Sequence, residues 1–321
     1  MHTVSVIVPT YNAEDFLPTC LEVMRRSGDD GTQFIVVDDH STDATPHILD
    51  AAVRRMPTLT VVRNDTNVGV ARSRNIALDV ADGRYLTYLD VDDWYGHGHL
   101  EALVRAIQDL EVDFVRTDHV RVDGYQRTLD RAPEKHRGVP LEAASGIGRA
   151  GSNAMVDYPF LWAGIYDTTR LPRDLFLFDE SLRTAADRPW FWRLYMKAKS
   201  TAVVDLHGYF YRKDHNPRAL TQAGNAQTLH FLDASARIRD LVVPAGRAEW
   251  TTKAAYAAAR ICAFHVTRRS RLSPELQAEL FLRSASLLAS YPHSTMDDAI
   301  RTLSLSQRMV ARALVRRGRA S

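Results

Sequence analysis

The chain has 321 residues, 45% of them hydrophobic, enough for one large domain or for one domain with a smaller appendage. Its 41 Lys and Arg nearly balance its 39 Asp and Glu, so no bulk charge points to nucleic acid or an acidic polymer as partner. Cys20 and Cys262 lie far apart and indicate a reducing compartment. The N-terminal segment lacks the features of a signal peptide, and no stretch reaches the ~20 apolar residues of a membrane span. We therefore expect a cytoplasmic protein that at most docks peripherally on the inner face of the membrane.

Strands and helices alternate through residues 1–112. A β-branched run at 3–8 precedes helical apolar spacing over 14–26. Three further strands, each followed by a helical pattern, are predicted from QFIVVDD, LTVVRN and RYLTYLD. This alternation predicts an α/β fold with a doubly wound, mostly parallel sheet covered on both faces. Ligands on such sheets bind beyond the carboxyl ends of the strands, where the polar segments PTYN, DDHSTD and DVDDW fall.

The pattern changes from residue 113 onward. A hairpin is expected at Asp123-Gly124, a mobile loop or short helix over 130–155, and further strands in FLWAGIYD and AVVDLHGYFYR. From residue 219 the sequence predicts helices alone. We therefore expect one domain over 1–218, with halves 1–112 and 113–218, and a C-terminal helical region over 219–321.

Three carboxylates crowd the end of the fourth predicted strand, in LDVDDW. Asp90, Asp92 and Asp93 stay ionised together only with a compensating cation or good solvation. An oxygen-rich cluster suits Mg²⁺ or Mn²⁺, with water and phosphate completing the coordination. The alternative is an acidic helix N-terminus, where the helix dipole favours negative charge. Three carboxylates exceed what a cap needs, which favours the metal site.

Two other segments at strand ends have chemistry suited to a nucleotide. Asp38 or Asp39 can accept a hydrogen bond from a nucleobase or a ribose hydroxyl. The alternative is an Asx turn that caps the next helix, which Asp43 fits better. In NVGVARSRN, Arg74 and Asn75 start a helix, and Arg suits bidentate recognition of phosphate or carboxylate. A solvated basic helix face is the alternative for any single Arg.

In order and spacing, VSVIVPTYNAEDFLPTCL, FIVVDDHSTDAT, NVGVARSRNIAL and YLTYLDVDDW resemble the nucleotide-binding half of family 2 glycosyltransferases with the GT-A fold. The resemblance extends over residues 3–215 and makes 1–112 the nucleotide-sugar-binding half and 113–218 the acceptor half. It implies inverting transfer, hexosyl or N-acetylhexosaminyl, from a nucleoside diphosphate sugar, with a UDP-sugar favoured. It also implies a divalent metal, Mn²⁺ or Mg²⁺. The implied acceptor is a glycan or polyol phosphate, often lipid-linked, in cell-surface or cell-wall glycan synthesis.

The same resemblance gives roles to individual positions. Asp90 and Asp92 match the DxD metal motif, and His215, in YFYRKDHNPRALT, is a further metal or phosphate candidate, although a lone loop His is more often solvated. Trp162 is either a sugar-stacking wall or part of the core. The implied nucleotide-sugar-binding positions are Pro9, Tyr11, Asn12, Asp38, Asp39, Arg74, Asn75, Asp90, Trp162, Tyr211 and Arg212.

A catalytic base is implied in LFLFDESLRTAADRPWFWRLY. Displacement at an anomeric carbon needs the acceptor hydroxyl deprotonated, and a positioned carboxylate does this as general base. Asp187 matches the base position of the family, and Ala186 stands where a Glu is usual. The alternative is an N-cap with Pro189 in the first helical turn, and the two interpretations are compatible.

The C-terminal segment LSLSQRMVARALVRRGRAS combines apolar and arginine positions. It predicts either a basic amphipathic helix on an anionic membrane surface or a docking helix with a solvated arginine face. The C-terminal helices are also candidates for a homo-oligomer contact.

Two other functions compete with glycosyl transfer. A sugar-phosphate nucleotidyltransferase would carry a Gly-rich, Lys-bearing phosphate loop, which VPTYNAEDF lacks. A non-catalytic glycan-binding or scaffold protein with a decayed site is suggested by Ala186 alone.

Overall fold

The computed structural model describes residues 2–213 and 225–320, and the chain divides into two compact units. The first comprises Met1–Ala143, Phe160–Glu180 and Lys197–Asn216, and the second comprises Ala144–Pro159, Ser181–Met196 and Pro217–Ser321. The domain boundary predicted at residue 218 lies outside the described residues and stays a prediction. The second unit also takes in two segments, 144–159 and 181–196, that the sequence division assigned to the acceptor half.

Strands belong to the first unit, and the C-terminal part of the second unit is helical. The strands, in chain order, are β1 Val4–Thr10, β2 Thr32–Asp38, β3 Leu59–Arg63, β4 Tyr85–Tyr88, β5 Trp94–Tyr95, β6 Phe114–Thr117, β7 His119–Asp123, β8 Gln126–Asp130, β9 Leu141–Glu142, β10 Gly164–Asp167, β11 Ser200–Val204 and β12 Tyr209–Arg212. The helices are α1 Leu17–Ser27, α2 Thr45–Val53, α3 Val70–Val80, α4 His99–Leu110, α5 Asp187–Lys197, α6 His230–Val242, α7 Ala248–Thr267, α8 Pro274–Ala289, α9 His293–Arg301 and α10 Leu305–Ala320.

The larger sheet of the first unit has the strand order β3-β2-β1-β4-β10-β6-β11-β9. Strands β1 to β4 are parallel, because the helix after each of the first three returns the chain to the same end of the sheet. Every residue of β2 is buried, as expected for a strand covered on both faces. Strand β10 runs antiparallel to its neighbours β4 and β6. The predicted α/β fold with a mostly parallel sheet is confirmed.

A smaller sheet of the first unit has the order β5-β12-β7-β8. The predicted hairpin joins β7 to β8, and Gly124 in its turn has a φ of +57°, which favours glycine. The segment AVVDLHGYFYR divides into β11 and β12, which belong to different sheets. The break includes Gly208, which lies so close to the ring of His99 that a side chain would clash.

Segment 144–159 of the second unit is held by buried charges. Lys253 of α7 is fully buried, and its Nζ donates to Asp157 Oδ2 at 2.6 Å and to Ser152 O at 2.7 Å. Arg260, two turns further along α7, lies 3.1 Å from the other carboxylate oxygen of Asp157. The sequence predicted a mobile loop or a short helix in this region, and short 3-10 helices are observed at Ala143–Ile147 and Met155–Asp157.

Helices α6 to α10 follow one another over residues 230–320 of the second unit, as predicted for this region. Helix α10 packs on α8 and α7 and buries Ala311, Leu314 and Val315. At Gly318 any side chain would clash with the backbone of Ala285, so α10 and α8 approach closely. One face of α10 therefore packs against other helices of the unit, as expected from the alternative that predicted a docking helix. Across the two described ranges, no helix is long and apolar enough to cross a membrane.

Candidate active site

Asn12 joins the loops that follow β1 and β2. Its Oδ1 accepts a hydrogen bond from Thr42 N at 2.8 Å, and its backbone N–H donates to Ser41 Oγ at 2.9 Å. Its φ of +47° is tolerated by Asn better than by most residues. Tyr11 beside it is half exposed, whereas Pro9 is part of β1. Tyr11 is therefore the side chain that this loop presents to solvent, and Asn12 shapes the loop.

Asp38 and Asp39 are buried at the end of β2. Asp38 Oδ1 accepts from the backbone N–H three residues further on, at 3.0 Å, whereas the Asx turn of this loop is made by Asp43, which accepts from Thr45 N at 2.9 Å. Asp39 accepts from the N–H groups of Val68 and Gly69 at 2.8 and 2.7 Å, and from Asn64 Nδ2 at 2.9 Å. A carboxylate offers about four acceptor sites, one more than these three bonds occupy. The predicted contact of Asp39 with the nucleotide stays a prediction.

Arg74 of α3 reaches Asp90 directly beyond β4. Its Nη2 lies 3.3 Å from Asp90 Oδ1, and the two side chains are 11% and 33% exposed. The guanidinium also lies over the rings of Tyr88 and Phe178, 5.9 and 5.5 Å from their centroids. Because two rings fix the guanidinium, its charge is directed at the carboxyl end of β4. The motifs NVGVARSRN and LDVDDW are thus in direct contact.

Asn75 binds a backbone segment of the same unit. Its Oδ1 accepts from Phe178 N at 2.8 Å, and its Nδ2 donates to Phe178 O and to Glu180 Oε1, each at 3.0 Å. Asn75 therefore fastens residues 178–180 to α3. Its predicted contact with the nucleotide sugar stays a prediction. The observed bonds show that Asn75 positions the backbone of residues 178–180.

Asp93 closes the turn after β4 and is only 2% exposed. Its carboxylate accepts from Tyr209 OH at 2.8 Å and from Arg212 N at 2.7 Å, both on β12. Burial, and then the charges of Asp90 and Asp92, raise the pKa of the Asp93 carboxyl well above its usual range. Arg212 Nε donates to Asp92 O at 2.9 Å, and Tyr209 OH accepts from Asp90 N at 3.2 Å. Strand β12 therefore fixes the turn that presents Asp90 and Asp92.

Trp162 is buried in an aromatic cluster, with 4% of its surface exposed. It stacks on Tyr209 with ring centroids 4.0 Å apart and on Tyr211 at 5.5 Å. Phe160 and His119 complete the cluster. This arrangement agrees with the core-packing interpretation of Trp162, because other aromatic rings cover its indole ring. Tyr211 and Phe160 are the cluster members that keep partial exposure.

The turn after β4 has donor chemistry that suits a hard divalent cation. Asp90 and Asp92 are partly exposed carboxylates, and their negative charge is strong enough to act on the buried Asp93. Two carboxylates leave coordination positions for a diphosphate and water, the usual arrangement around Mg²⁺. Among residues 2–213 and 225–320, no group of three or more His, Cys, Asp or Glu converges to hold a metal unaided. His215, the third predicted ligand, lies outside the described residues.

Asp187 is the first residue of α5, in the second unit, and is partly exposed. Position at a helix N-terminus favours the ionised carboxylate. Ala186 before it is buried, and Ala185 has a φ of +61°, a conformation that costs energy for a residue with a Cβ. The predicted role of Asp187 as base stays a prediction.

The segment before Asp187 is fastened within the second unit. Arg183 N donates to His230 Nδ1 at 2.9 Å, and Thr184 Oγ1 donates to Gln227 O at 2.8 Å. These bonds hold the segment that contains Ala185 against the beginning of α6.

Two positioning residues were not singled out from the sequence. Tyr209 connects Asp90 and Asp93, and Glu180 accepts from Asn75. Their partners lie 105 to 119 positions away in the chain, so local spacing gives no sign of them. One signal was available for Tyr209, because alternation along β12 puts it on the same face as Tyr211.

The fold resembles solved structures of a staphylococcal protein. The crystal structure of S. aureus TarS 1-349 in complex with UDP-GlcNAc matches with a TM-score of 0.71 at 22% identity, over 99% of this chain and 92% of that one. The same fragment in complex with UDP gives a TM-score of 0.69 at 21% identity. Identities this low establish the fold alone. The α/β architecture with C-terminal helices is therefore of the GT-A class.

Residues 5–163 match the family model for glycosyl transferase family 2. That segment is just under half of the chain, and it is similar to this family, as the sequence resemblance indicated. Uncharacterized glycosyltransferase EpsJ of Bacillus subtilis (strain 168) is 26% identical over 221 residues, which are 68% of this chain and 63% of that protein. Poly(ribitol-phosphate) beta-N-acetylglucosaminyltransferase TarS of Staphylococcus aureus (strain MW2) is 30% identical over 214 residues, 64% of this chain and 35% of that protein. The matches thus span less than two thirds of the length of these relatives.

Proposed function

We propose that the protein is an inverting glycosyltransferase that moves a sugar from a nucleoside diphosphate sugar to an acceptor hydroxyl in cell-surface or cell-wall glycan synthesis. The observation that carries this proposal is the Arg74–Asp90 pair at the carboxyl end of β4. A fixed cation beside a carboxylate offers one partner for a diphosphate and one for its counter-cation. The match of residues 5–163 to the model for glycosyl transferase family 2 supports the same class of reaction.

The donor that we favour is a UDP-sugar, since the TarS fragment with the same fold has been solved with UDP and with UDP-GlcNAc. Tyr11 and Asp39 take the nucleotide side of the donor. Asp90 and Asp92 would hold Mn²⁺ or Mg²⁺, which supplies positive charge that offsets the charge on the departing diphosphate. Arg212, whose guanidinium is stacked 5.0 Å from the ring centroid of Trp94, adds a second fixed cation for the donor.

Asp187 is the base in this proposal. Its carboxylate takes the proton of the acceptor hydroxyl as the oxygen bonds to the anomeric carbon. The bond from that carbon to the diphosphate breaks in the same displacement, which inverts the anomeric configuration. The first-turn position on α5 supports the role because the start of a helix holds the carboxylate on a rigid element.

A polyol phosphate or another anionic glycan is the acceptor class that the second unit favours. Arg271 Nη2 lies 3.0 Å from His265 Nδ1, and the ring of His265 stacks on Phe231 at 4.0 Å. Burial, and then the charges of Arg271, Arg188 and Arg268, lower the pKa of His265 to about 4. Among the residues that the structure describes, no carboxylate lies within ion-pair distance of these three arginines. The name of the TarS relative, which refers to poly(ribitol-phosphate), agrees with this choice.

Nucleotide release from a panel of nucleoside diphosphate sugars, with Mn²⁺ or with chelator, tests the donor and the metal. We expect one donor to be turned over, and chelation to abolish both turnover and the calorimetric binding of the nucleoside diphosphate. Release at background level for every donor would instead favour a glycan-binding protein. Pyrophosphate release from a nucleoside triphosphate and a sugar phosphate would favour a nucleotidyltransferase.

The acceptor class is tested by Arg268→Gln/Arg271→Gln. We expect a raised KM for a phosphate-bearing acceptor and an unchanged KM for the donor, while acceptors without charge respond equally in both proteins. An unchanged KM for the phosphate-bearing acceptor would contradict the assignment.

A further inference from the structure

Helix α10 presents a second face that its packing leaves open. Leu305 and Met309 are 73% and 67% exposed, more than any other large hydrophobic residue described in the second unit. They are four positions apart, so they lie one turn apart on the same face of the helix. Single exposed apolar residues are ordinary on protein surfaces, but an adjacent pair on one helix face forms a patch.

Arginines continue the same stripe. At 100° per residue, Arg312, Arg316 and Arg319 follow Met309 at intervals of three and four and stay on its side of the helix. All three are exposed. Within the described part of the chain, no carboxylate lies at ion-pair distance from any of them, and α10 itself contains no Asp or Glu. The stripe is therefore apolar in its first turns and positively charged in its later ones.

The orientation of this stripe is fixed by the fold. The buried residues Ala311, Leu314 and Val315 are centred about 130° around α10 from the stripe, where the helix packs on α8 and α7. Arg308 does not belong to the stripe, because its Nη2 donates to the carbonyls of Arg301 and Leu303 at 2.7 and 3.1 Å. The helix is thus held by one face and offers the other without rearrangement.

We propose that this face of α10, formed by Leu305, Met309, Arg312 and Arg316, docks the protein on the surface of an anionic lipid bilayer. Charge complementarity selects this occupant. Arginines at the headgroup level are attracted to anionic lipids, and the two apolar side chains can enter the boundary between headgroups and acyl chains. A second copy that paired through the same face would bring no carboxylate of α10 to these arginines, because the helix contains no Asp or Glu. The proposal does not depend on the glycosyltransferase activity.

Vesicle co-sedimentation of the whole chain tests the proposal. We expect binding to vesicles of phosphatidylglycerol and phosphatidylcholine, and weak binding to phosphatidylcholine alone. Arg312→Gln/Arg316→Gln should weaken binding about 30-fold, since each Arg near such a surface contributes about a fivefold factor. The matched control is Arg54→Gln/Arg55→Gln, which removes two exposed arginines next to α2 of the first unit and should leave binding within about twofold.

Leu305→Gln/Met309→Gln separates a bilayer from other partners. We expect this variant to lose most vesicle binding while its thermal unfolding midpoint is unchanged, because both side chains are exposed. Vesicle binding that needs the arginines but not the apolar pair would overturn the entry of Leu305 and Met309 into the bilayer and leave an electrostatic contact with the headgroups alone. Self-association in sedimentation velocity that this variant abolishes, without vesicle binding by the parent, would overturn it in favour of a second copy.

Discussion

Asn75 and Phe178, 103 positions apart in the chain, exchange two hydrogen bonds. The side-chain amide of Asn75 both accepts from the N–H of Phe178 and donates to its carbonyl. It thus makes the two backbone hydrogen bonds that a neighbouring β-strand would otherwise make with this residue. The ring of Phe178 in turn lies against the guanidinium of Arg74. Arg74 and Asn75 therefore have different roles. Asn75 positions Phe178, and the ring of Phe178 supports the guanidinium of Arg74 that faces Asp90.

Replacement of Asn75 tests this division. Asn75→Ala leaves the N–H and carbonyl of Phe178 without these partners, so we expect a loss of about 1–3 kcal/mol in the free energy of unfolding. Urea denaturation measures the change. Arg72→Ala on the same helix is the control, because Arg72 is exposed and reaches Glu180 only at 3.6 Å, and should cost less than about 0.5 kcal/mol. Equal effects of both variants would show that the amide bonds do not stabilise the segment.

Replacement of the buried Lys253 should lower the stability of the second unit strongly. Lys253→Met leaves the buried carboxylate of Asp157 with Arg260 as its one remaining cation beside the Ala154 N–H, and we expect a loss of about 3–5 kcal/mol in stability. The double variant Lys253→Met/Asp157→Leu should recover much of this loss, because no uncompensated buried anion remains.

Thermal or urea unfolding of both variants measures these effects. Lys197→Met, at an exposed position, is the control, and its free energy of unfolding should stay within about 0.5 kcal/mol of the parent value. A double variant less stable than Lys253→Met would contradict the charge argument and indicate that side-chain packing dominates.

Asp187→Asn should separate donor binding from transfer. The amide keeps the size of the side chain but cannot accept the acceptor proton, so we expect kcat to fall by about 10²–10⁴-fold. Calorimetric binding of the nucleoside diphosphate should stay unchanged. Asp187→Glu is the informative companion, and partial activity that it retains would support proton transfer at this position. Unchanged turnover by Asp187→Asn would exclude it as the base.

Stability should fall as the pH is lowered from about 6.5 to about 4, in part through His99. Burial, and then the charge of His207, lower the pKa of His99 to about 4, whereas an unfolded His titrates near 6.5. Between these values the unfolded chain binds a proton that the folded chain does not, so unfolding is favoured as pH falls. The contribution of His99 is complete above pH 6.5 and lost below pH 4.

We expect this one group to lower the free energy of unfolding by about 2 kcal/mol between pH 7 and pH 5. Urea denaturation at the two pH values measures it, and His99→Gln should show a correspondingly smaller difference. His119 and His265, whose pKa values burial also lowers to about 4, should supply most of the dependence that remains. A variant with the pH dependence of the parent would contradict the assignment to His99.

The order of elements in the nucleotide-binding half follows from local patterns. The apolar run before Pro9, the buried run before Asp38 and the helical spacing after each were sufficient, because a parallel sheet covered on both faces needs continuous apolar strands. The same patterns placed Arg74 and Asp90 at one edge of the sheet. Asp90 follows the carboxyl end of β4, and Arg74 lies near the beginning of α3, at the edge where ligands of such sheets bind.

The sequence by itself determined the α/β class, the resemblance to glycosyl transferase family 2, and the acidic and basic types at the rim. Only the tertiary structure decided which of these side chains are engaged with the protein. Asp93 is bound by Tyr209 and Arg212, Asn75 by Phe178, and Trp162 is buried against Tyr209. The physical reason is that each of these groups is satisfied by partners tens to more than a hundred positions away. Periodicity reports which face a residue occupies, but not which distant group meets it there.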